Sequence, residues 1–239
     1  MRPSPFHHRS DPSRRFFAFD MFGTLVVNTE GTVRPIFEAL CGYYPGIEPR
    51  DVFRAYREQA TAFRRTNSGL ELPIDAVIGN LDAIFGFEND PGAMEGPLLR
   101  DTRLYGPASG SAAALGYLKD MGYRIGVMSN TRYHGAVIRG LLEDAGLAGS
   151  VDEIVTSADV GFRKPRAEAY AAIADRLGAD RRDVLFCGDS LSNDYYGPLS
   201  ARLRGAVHID PTMSSAATWR IGSLGDLPGL FGGGERSPG

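Results

Sequence analysis

From Gly106 onward, segments with the pattern of helices alternate with short apolar segments that have the pattern of β-strands. Repeated strand–helix alternation indicates a parallel sheet that is covered by helices on both faces, with right-handed crossover connections. The predicted strands are 123–128, 153–156, 183–187, 205–209 and 219–221, and the predicted helices are 108–121, 132–145, 166–178 and 194–203. The predicted fold class is therefore α/β, with a doubly wound parallel sheet.

The first strand of this sheet is predicted at residues 16–19, where four apolar positions lead directly into Asp20. A short apolar segment that ends in a carboxylate and a Gly-Thr turn is typical of a buried parallel strand with Asp20 at its C-terminal tip. Ligands of open α/β sheets bind at such tips. Asp20 by itself is equally consistent with a residue that only caps the following turn.

Residues 31–103 differ in character from the rest of the chain and are predicted to form a mostly helical insertion. Apolar and charged residues recur there at helical spacing, and Pro, Gly and Asn separate the segments. The predicted helices are 35–44, 49–66, 73–86 and 93–103, the predicted α/β core is 15–30 and 104–231, and disordered tails are expected at 1–14 and 232–239. Most arginines of the insertion, such as Arg64, are expected on a solvated face, while one or two are available to contact an anionic substrate.

The composition argues against several classes of partner. The net charge is -3 and the pI is about 5.8, so there is no overall basic field to attract nucleic acid or an anionic membrane. No apolar segment approaches the ~20 residues that span a bilayer. The two cysteines, Cys41 and Cys187, lack metal-ligand spacing and are expected to be reduced. We therefore expect a cytoplasmic protein that binds neither nucleic acid nor membranes.

Two further segments carry polar groups suited to a phosphate. Ser129 and Asn130 follow the strand 123–128, and the amides that begin the next helix are expected to point at the same edge of the sheet. Ser and Asn are also ordinary helix caps. Lys164 lies in an Arg-Lys-Pro triplet, and it is one of only two lysines among 26 lysines and arginines. A lysine in a chain that otherwise uses arginine suggests a position where an ammonium group balances carboxylates and a phosphate.

The segment 183–197 carries the most specific sequence signal for a functional site. A predicted strand leads into Asp189, and Asp194 follows five residues later, after a polar turn that can bring both carboxylates to one point. Gly188 permits close approach of the backbone. Carboxylates that converge with Asp20 repel one another unless a cation lies among them, and Mg²⁺ is a hard cation that binds oxygen ligands and bridges to phosphate. The segment therefore predicts a Mg²⁺ site.

Together these segments resemble the four motifs of the haloacid dehalogenase superfamily, whose members are mostly Mg²⁺-dependent phosphohydrolases. The matched motifs are Asp20-x-x-Gly23-Thr24, Ser129-Asn130, Lys164-Pro165, and Gly188-Asp189-Ser190 with Asn193-Asp194. The resemblance covers residues 15–230, and the helical segment between the first two motifs is similar to the cap that one large branch inserts after the first strand. It implies a Rossmann-like α/β core with a helical cap.

The resemblance also implies a role for each matched residue. Asp20 would attack phosphorus to form an aspartyl-phosphate that water hydrolyses, and Lys164 would offset the charge. The residues implied in substrate binding are Phe22, Gly23, Thr24, Ser129 and Asn130. The residues implied as Mg²⁺ ligands are Asp20, Phe22 through its main-chain carbonyl, Asp189 and Asp194. The implied substrate is a small phosphorylated metabolite, and the choice between monomer and homodimer stays open.

Phe22 departs from the superfamily pattern, because phosphatases usually carry a second Asp at this position, two residues after the nucleophile. That Asp protonates the leaving oxygen, and loss of a positioned acid typically lowers the rate ~10²–10⁴-fold. One interpretation is a phosphatase whose substrate has a good leaving group, or which uses another acid such as His134 or Asp189. A second is a 2-haloacid dehalogenase, since those relatives carry an aromatic residue here and need no such proton. A third is a non-catalytic protein that binds a phosphorylated ligand.

Overall fold

The computed structural model describes residues 15–29, 36–102 and 105–231. The expected disordered tails, 1–14 and 232–239, and the predicted ends of the insertion, at 31 and 103, lie outside these residues. None of the helices within the described residues is long and apolar enough to cross a membrane.

Strands and helices follow one another in an alternating order, interrupted by a run of helices after the second strand. The strands are β1 (Phe16–Phe19), β2 (Val26–Asn28), β3 (Tyr105–Pro107), β4 (Arg124–Ser129), β5 (Glu153–Thr156), β6 (Val184–Gly188), β7 (Gly205–Ile209) and β8 (Arg220–Ile221). The helices are α1 (Ile36–Cys41), α2 (Pro49–Thr66), α3 (Ile74–Phe85), α4 (Pro91–Thr102), α5 (Ser111–Asp120), α6 (Gly135–Asp144), α7 (Ser157–Val160), α8 (Ala167–Leu177) and α9 (Gly197–Ser200).

Six strands form one parallel sheet in the order β5-β4-β1-β6-β7-β8. The chain builds outward from β1 to β4 and β5, then returns to the other side of β1 for β6, β7 and β8. The prediction of a doubly wound α/β fold is confirmed. Each strand of the sheet lies within one or two residues of its predicted position, because a strand covered on both faces reads as an apolar run that few other structures produce.

Both faces of the sheet are buried, as the apolar character of β1 requires. Phe17 and Phe19 point to one face, where they join an apolar cluster that includes residues of α5 and α6. Ala18 points to the opposite face and packs in a cluster with Tyr170 and Ile173 of α8. Successive side chains of a strand alternate between faces, so four consecutive apolar residues are needed to fill both clusters.

The helical insertion, defined as residues 36–102, contains α1 to α4. Many of its apolar residues belong to the same cluster as Phe17 and Phe19, and Tyr44, Ile78 and Leu98 are among those that are fully buried. The helix predicted over 49–66 is α2, which begins at Pro49, a residue with a fixed φ that suits a first helical turn. The prediction that this part of the chain is mostly helical agrees with the structure.

A small two-stranded antiparallel sheet was not predicted from the sequence. It is formed by β2 and β3, which pair from Val26 with Pro107 to Asn28 with Tyr105 and so bring together the two ends of the chain on either side of the helical insertion. Three-residue strands 79 positions apart offer no periodic signal of their own, because their pairing depends on where the intervening helices fold.

The helix predicted over 194–203 is confirmed in part, because residues 194–200 are helical. The helical structure begins earlier, with a wide π-type turn at Leu191–Tyr196, continues as the short α9, and ends before Arg202, which has φ +64°. The turn starts earlier than predicted because Ser190 caps it: the Ser190 hydroxyl accepts a hydrogen bond from the Asn193 N–H at 3.2 Å.

Candidate active site

Three predicted site residues lie at the same edge of the sheet because the strands that carry them are neighbours. Asp20 follows β1, Ser129 is the last residue of β4, and Asp189 follows β6. β1 pairs in parallel with both β4 and β6. The chain changes direction across the sheet at this point, and ligands of open α/β sheets bind where the strand order reverses.

The Lys164 ammonium group joins two of the carboxylates. Nζ donates hydrogen bonds to Asp20 Oδ1 and to Asp194 Oδ1, each at 2.7 Å, and all three residues are buried. Burial raises the pKa of Asp20 in spite of the nearby ammonium, and the charge of Asp194 adds to the rise. Burial alone would lower the pKa of Lys164, but the two carboxylates outweigh it and the net change is upward. The ammonium is therefore held in its charged form.

Asn130 holds the backbone of Lys164. Its Nδ2 donates to the Lys164 carbonyl oxygen at 2.9 Å, and its Oδ1 accepts from the Lys164 N–H at 2.7 Å. The ring of Phe186 lies beneath the ammonium, with Nζ 5.0 Å from the ring centroid. Since both ends of the Asn130 amide contact the Lys164 backbone, this side chain fixes the position of Lys164 relative to the end of β4.

Asp194 reaches the same point because of the wide turn that follows β6. The Asp194 carboxylate accepts a hydrogen bond at Oδ2 from the Ser190 N–H at 3.0 Å, which turns the side chain back toward the sheet. Gly188 makes room for it, since a Cβ at that position would lie 2.5 Å from the Asp194 carboxylate. The predicted need for glycine at this position therefore has a direct steric cause.

His208, in β7, supports Asp189 and was not singled out by the sequence analysis. Nε2 of His208 donates to the Asp189 carbonyl oxygen at 2.9 Å, and Nδ1 lies 2.9 Å from Ser215 Oγ. A carbonyl oxygen only accepts hydrogen bonds, so the proton of a neutral His208 is on Nε2. The sequence signal for this contact is slight, a histidine inside an otherwise apolar strand.

The carboxylates of Asp20, Asp189 and Asp194 suit a divalent cation. One oxygen atom from each lies within 4.8 Å of the others. Three carboxylates against the ammonium of Lys164 leave a formal charge of -2 at this point. Loss of solvent and the charge of Asp20 raise the pKa of Asp189, as expected where negative charges are crowded. An all-oxygen, doubly negative set fits Mg²⁺.

Two of the predicted substrate-binding residues carry a buried hydroxyl with no hydrogen-bond partner among the described residues: Thr24 and Ser129. Leaving a buried hydroxyl unpaired costs roughly 1–3 kcal/mol, so both positions suit a ligand that brings oxygen atoms. Gly23 lies beside them with φ +87°, and a Cβ there would lie 2.3 Å from Asp189 Oδ2. The backbone at Gly23 therefore lies so close to the Asp189 carboxylate that a side chain at this position would overlap with it.

Phe22 lines a cavity between the core and the helical insertion. Its half-buried ring packs against Tyr105, with the ring centroids 4.8 Å apart. Phe22, Tyr105 and Asn130 line this cavity, which has a volume of about 790 Å³. Among its described lining residues, Glu71 is the one that carries a carboxylate.

Glu71 belongs to a set of contacts that joins the helical insertion to the core just before Lys164. Its carboxylate forms an ion pair with Arg163 and accepts a hydrogen bond from Ser157 Oγ at 2.7 Å. The Glu71 N–H donates to the Gly161 carbonyl at 2.9 Å, and the Arg163 N–H donates to the Gly69 carbonyl at 2.9 Å. These contacts could not be predicted from local sequence patterns, because Glu71 and Arg163 are 92 residues apart.

His134, a candidate for a substitute acid, contacts the helical insertion instead of the cavity. Glu95 Oε1 accepts a hydrogen bond from the His134 N–H at 2.6 Å and lies 2.9 Å from Nδ1. His134 does not line the cavity. These contacts support a structural role for His134 where the insertion meets the core.

Two curated relatives share sequence with this chain. It is 31% identical over 113 residues to pyrimidine 5'-nucleotidase YjjG of Escherichia coli, a match that covers 45% of this chain and 49% of that protein. It is 29% identical over 184 residues to phosphoglycolate phosphatase of Rhodospirillum rubrum, covering 72% of this chain and 70% of that protein. The chain thus spans about half the length of the nucleotidase.

Solved structures share the fold over nearly the whole chain. A HAD phosphatase from Thermococcus onnurineus superimposes with a TM-score of 0.59 and 21% identity, covering 92% of this chain and 98% of that one. The L-2-haloacid dehalogenase from Xanthobacter autotrophicus superimposes with a TM-score of 0.58 and 18% identity, covering 92% and 99%. At these identities the likeness concerns the fold alone.

A family model described as haloacid dehalogenase-like hydrolase matches residues 15–201. The matched range runs from the start of β1 to just after α9, and so includes Asp20, Lys164, Asp189 and Asp194. It also covers well over half of the 239 residues. The chain therefore belongs to the haloacid dehalogenase-like hydrolase family.

Proposed function

We propose that the protein is a Mg²⁺-dependent phosphatase that hydrolyses a small phosphorylated metabolite, with Asp20 as the nucleophile. The observation that carries this proposal is the buried Asp20 carboxylate, 2.7 Å from the Lys164 ammonium group, at the point where the carboxylates of Asp189 and Asp194 converge. The names of the curated relatives, a nucleotidase and a phosphatase, support the same class of reaction.

The proposed reaction has two steps. In the first, a carboxylate oxygen of Asp20 attacks phosphorus, the bond from phosphorus to the leaving oxygen breaks, and the bonding electron pair goes to that oxygen. In the second, water attacks the phosphorus of the aspartyl-phosphate, which releases inorganic phosphate and restores the Asp20 carboxylate. Lys164 Nζ stabilises the negative charge beside Asp20, and the unpaired hydroxyl of Ser129 is positioned to donate to a phosphoryl oxygen.

Asp20, Asp189, Asp194 and the main-chain carbonyl of Phe22 would hold Mg²⁺. The bound ion supplies positive charge that orients the phosphoryl oxygens and offsets their charge. His208 fixes the backbone of Asp189 through its hydrogen bond to the carbonyl oxygen. Residues that orient ligands in this way tune metal affinity in other proteins.

Phe22 determines which substrates the site can hydrolyse well. A phenyl ring cannot protonate a leaving oxygen, and Glu71, the one carboxylate among the described residues that line the cavity, is paired with Arg163. Asp189, another candidate acid, would be occupied as a Mg²⁺ ligand, so the leaving group would depart with little help from an acid. We infer that the substrate is a phosphate ester of an alcohol that is more acidic than an ordinary alkyl alcohol.

The helical insertion acts in this proposal as a cap. It covers the edge of the sheet beside Phe22, and it leaves a cavity of about 790 Å³, a size suited to a small molecule. A cap of this kind excludes water and contacts the part of the substrate that is not phosphate. A folded phosphoprotein would not fit such a cavity.

A 2-haloacid dehalogenase is the second candidate, and Phe22 favours it, because displacement of a halide needs no proton. The convergence of Asp20, Asp189 and Asp194 weighs against it. Without a cation, these carboxylates would repel the carboxylate of a haloacid. Phe22 is also compatible with a protein that binds a phosphorylated ligand without turnover.

Phosphate release from a panel of phosphorylated metabolites, measured with and without Mg²⁺, tests these alternatives. The wild type should release phosphate from some members of the panel in the presence of Mg²⁺, and Asp20→Asn should release none above background. Asp144→Asn, which changes an exposed carboxylate at the end of α6, is the matched control and should behave as the wild type.

Two other outcomes would contradict the proposal. Metal-independent release of chloride from 2-chloropropionate would favour the dehalogenase. Binding of a phosphorylated ligand, with neither phosphate nor chloride released, would favour the non-catalytic protein.

A further inference from the structure

The cavity between the helical insertion and the core is lined on the side of the sheet by Phe22 and Asn130. Phe22 lies two residues after Asp20, and Asn130 directly follows Ser129, so the cavity begins beside the proposed phosphate position. A phosphate ester attacked by Asp20 would extend its leaving group into this space. The groups that line the cavity should therefore match the chemistry of that leaving group.

Positive charge exceeds negative charge among the described residues of the cavity lining. Three guanidinium groups, those of Arg64, Arg132 and Arg163, face one carboxylate, that of Glu71. Arg163 and Glu71 form an ion pair with each other. Within residues 15–29, 36–102 and 105–231, neither Arg64 nor Arg132 has a carboxylate partner.

Arg132 is positioned as a built part of the cavity wall. It follows the end of β4 by three residues, it is half-buried, and its Nη1 donates to the Tyr56 hydroxyl at 2.9 Å. Its guanidinium also lies over the Tyr56 ring, 5.6 Å from the centroid, and its carbonyl oxygen accepts from the Ile74 N–H at 2.9 Å. One donor of the guanidinium fork is thus used for a neutral partner, while the rest remain for an anion.

Arg64 lies on the other side of the cavity, on α2, and is exposed to solvent at the rim. Other arginines of α2 do not share this position. Arg57 lies over the ring of Phe53, 5.4 Å from the centroid, and does not line the cavity. The excess positive charge in the cavity is thus specific to Arg132 and Arg64.

We propose that Arg132, assisted by Arg64, binds a second anionic group, a carboxylate or a phosphate, on the leaving group of the substrate. That the bound molecule is a substrate rests on the proposed phosphatase function. The binding of an anion by Arg132 does not depend on that function. A half-buried guanidinium without a carboxylate gains most from an anion with two oxygens in one plane, because the fork donates to both. Phe22 and Tyr105 also line this cavity and give it aromatic surface, which suits an aryl leaving group.

Two aryl phosphates of matched shape and different charge test this inference. 4-Carboxyphenyl phosphate and 4-carbamoylphenyl phosphate have the same shape, and their phenol leaving groups do not depend on an enzyme acid. For the wild type we expect kcat/KM to be at least about tenfold higher for the carboxylate, mostly through KM, since a charge-assisted pair has that effect. 1,4-Phenylene bisphosphate, compared in the same assay, shows whether a phosphate is preferred to a carboxylate.

Variants of the cavity arginines test which residue causes the preference for the carboxylate compound. Arg132→Met should reduce the ratio of the two kcat/KM values to about one, chiefly by raising KM for the carboxylate compound. Arg132→Lys, which keeps the charge but not the fork, should retain part of the ratio and guards against loss of folding. Arg64→Met should lower the ratio by less, and Arg57→Met is the control that should leave it unchanged.

The corresponding non-hydrolysable phosphonates separate this inference from the proposed function. If phosphate is released from both compounds with equal kcat/KM, the anion site is overturned and the phosphatase stands. If no phosphate is released, yet calorimetry shows tighter binding of 4-carboxyphenylphosphonate than of its carbamoyl analogue, lost in Arg132→Met, the anion site stands and the phosphatase does not. Equal or undetectable binding of both phosphonates, without turnover, overturns the inference.

Discussion

Positive charge is held differently at the edge of the sheet around Asp20 and in the cavity beside it. At the edge, the Lys164 ammonium is buried and lies 2.7 Å from a carboxylate oxygen on either side. In the cavity, Arg132 is half-buried and donates to the neutral hydroxyl of Tyr56, while Arg64 is exposed. Charge fixed by paired carboxylates can stabilise a transition state without reorganisation, whereas a guanidinium without a carboxylate is available to a ligand. Under the proposed function, the edge would perform the chemistry and the cavity would select the substrate.

The sharpest test of this division is Lys164→Met, for which we expect the largest effect. Methionine retains the apolar length of the side chain but removes the charge beside Asp20, so kcat should fall roughly 10²–10³-fold with little change in KM. Lys119→Met, which removes an ion pair with Asp152 at the surface, is the control and should keep full activity. A variant in which KM rises while kcat is kept would break the division, because the ammonium would then act in binding.

Gly23→Ala should have the next largest effect, on metal binding. A Cβ at Gly23 would lie 2.3 Å from Asp189 Oδ2, so we expect Mg²⁺ to bind roughly 10–100-fold more weakly in a titration of phosphate release. Gly46→Ala is a matched control, since Gly46 has φ +84° and a Cβ there would meet no atom within 4 Å. Equal losses in both variants would assign the effect to backbone strain instead of to the Asp189 carboxylate.

Phe22→Asp tests the edge by adding a group instead of removing one. It introduces a carboxylic acid at the position where the superfamily pattern has a second Asp. We expect kcat/KM to rise about tenfold or more for alkyl phosphates, whose leaving oxygen needs a proton, and to change little for aryl phosphates. Phe22→Asn introduces a side chain of the same size as Asp but without an acidic group, so it should give no such gain. Unchanged turnover of alkyl phosphates in the Asp variant would refute the explanation based on a missing acid.

Tyr56→Phe should have the smallest effect, and it acts only in the cavity. It removes the hydroxyl that orients Arg132 at 2.9 Å, so KM for 4-carboxyphenyl phosphate should rise roughly 2–10-fold while kcat stays the same. The carbamoyl compound should be unaffected. Tyr43→Phe, in a half-buried residue outside the cavity, serves as the control. A fall in kcat with both compounds would mean that Tyr56 supports the edge as well as the cavity.

The residues at the edge of the sheet could be predicted from the sequence because each is marked by a local signal. Asp20 follows an apolar strand, Asp194 lies in a polar turn after another, and Lys164 is a rare lysine in an arginine-rich chain. Parallel strands of one sheet bring their C-terminal ends to one edge, so local patterns suffice to gather such residues. The wide turn at Leu191–Tyr196 escaped prediction because its shape depends on contacts of Ser190 with Asn193 and Asp194.

The contacts by which the helical insertion and the core form the cavity were not open to prediction in this way. Tyr56 and Arg132 are 76 residues apart, and Glu71 and Arg163 are 92 residues apart. The sequence shows many arginines in and around the helical insertion, but their local pattern is that of a solvated surface for Arg57 and Arg64 alike. Only their position relative to the core distinguishes them.

The sequence by itself determined the α/β class, the position of the sheet strands and the polar residues at their ends, since these depend on short-range alternation and on apolar runs. The tertiary structure decided that Lys164 bridges Asp20 and Asp194, that β2 pairs with β3, and that Arg132 has no carboxylate partner among the described residues. The Lys164 bridge depends on how distant segments of the core meet, and the other two features depend on how the helical insertion packs against the core. That packing is long-range, so no local pattern in the chain encodes which side chains will meet.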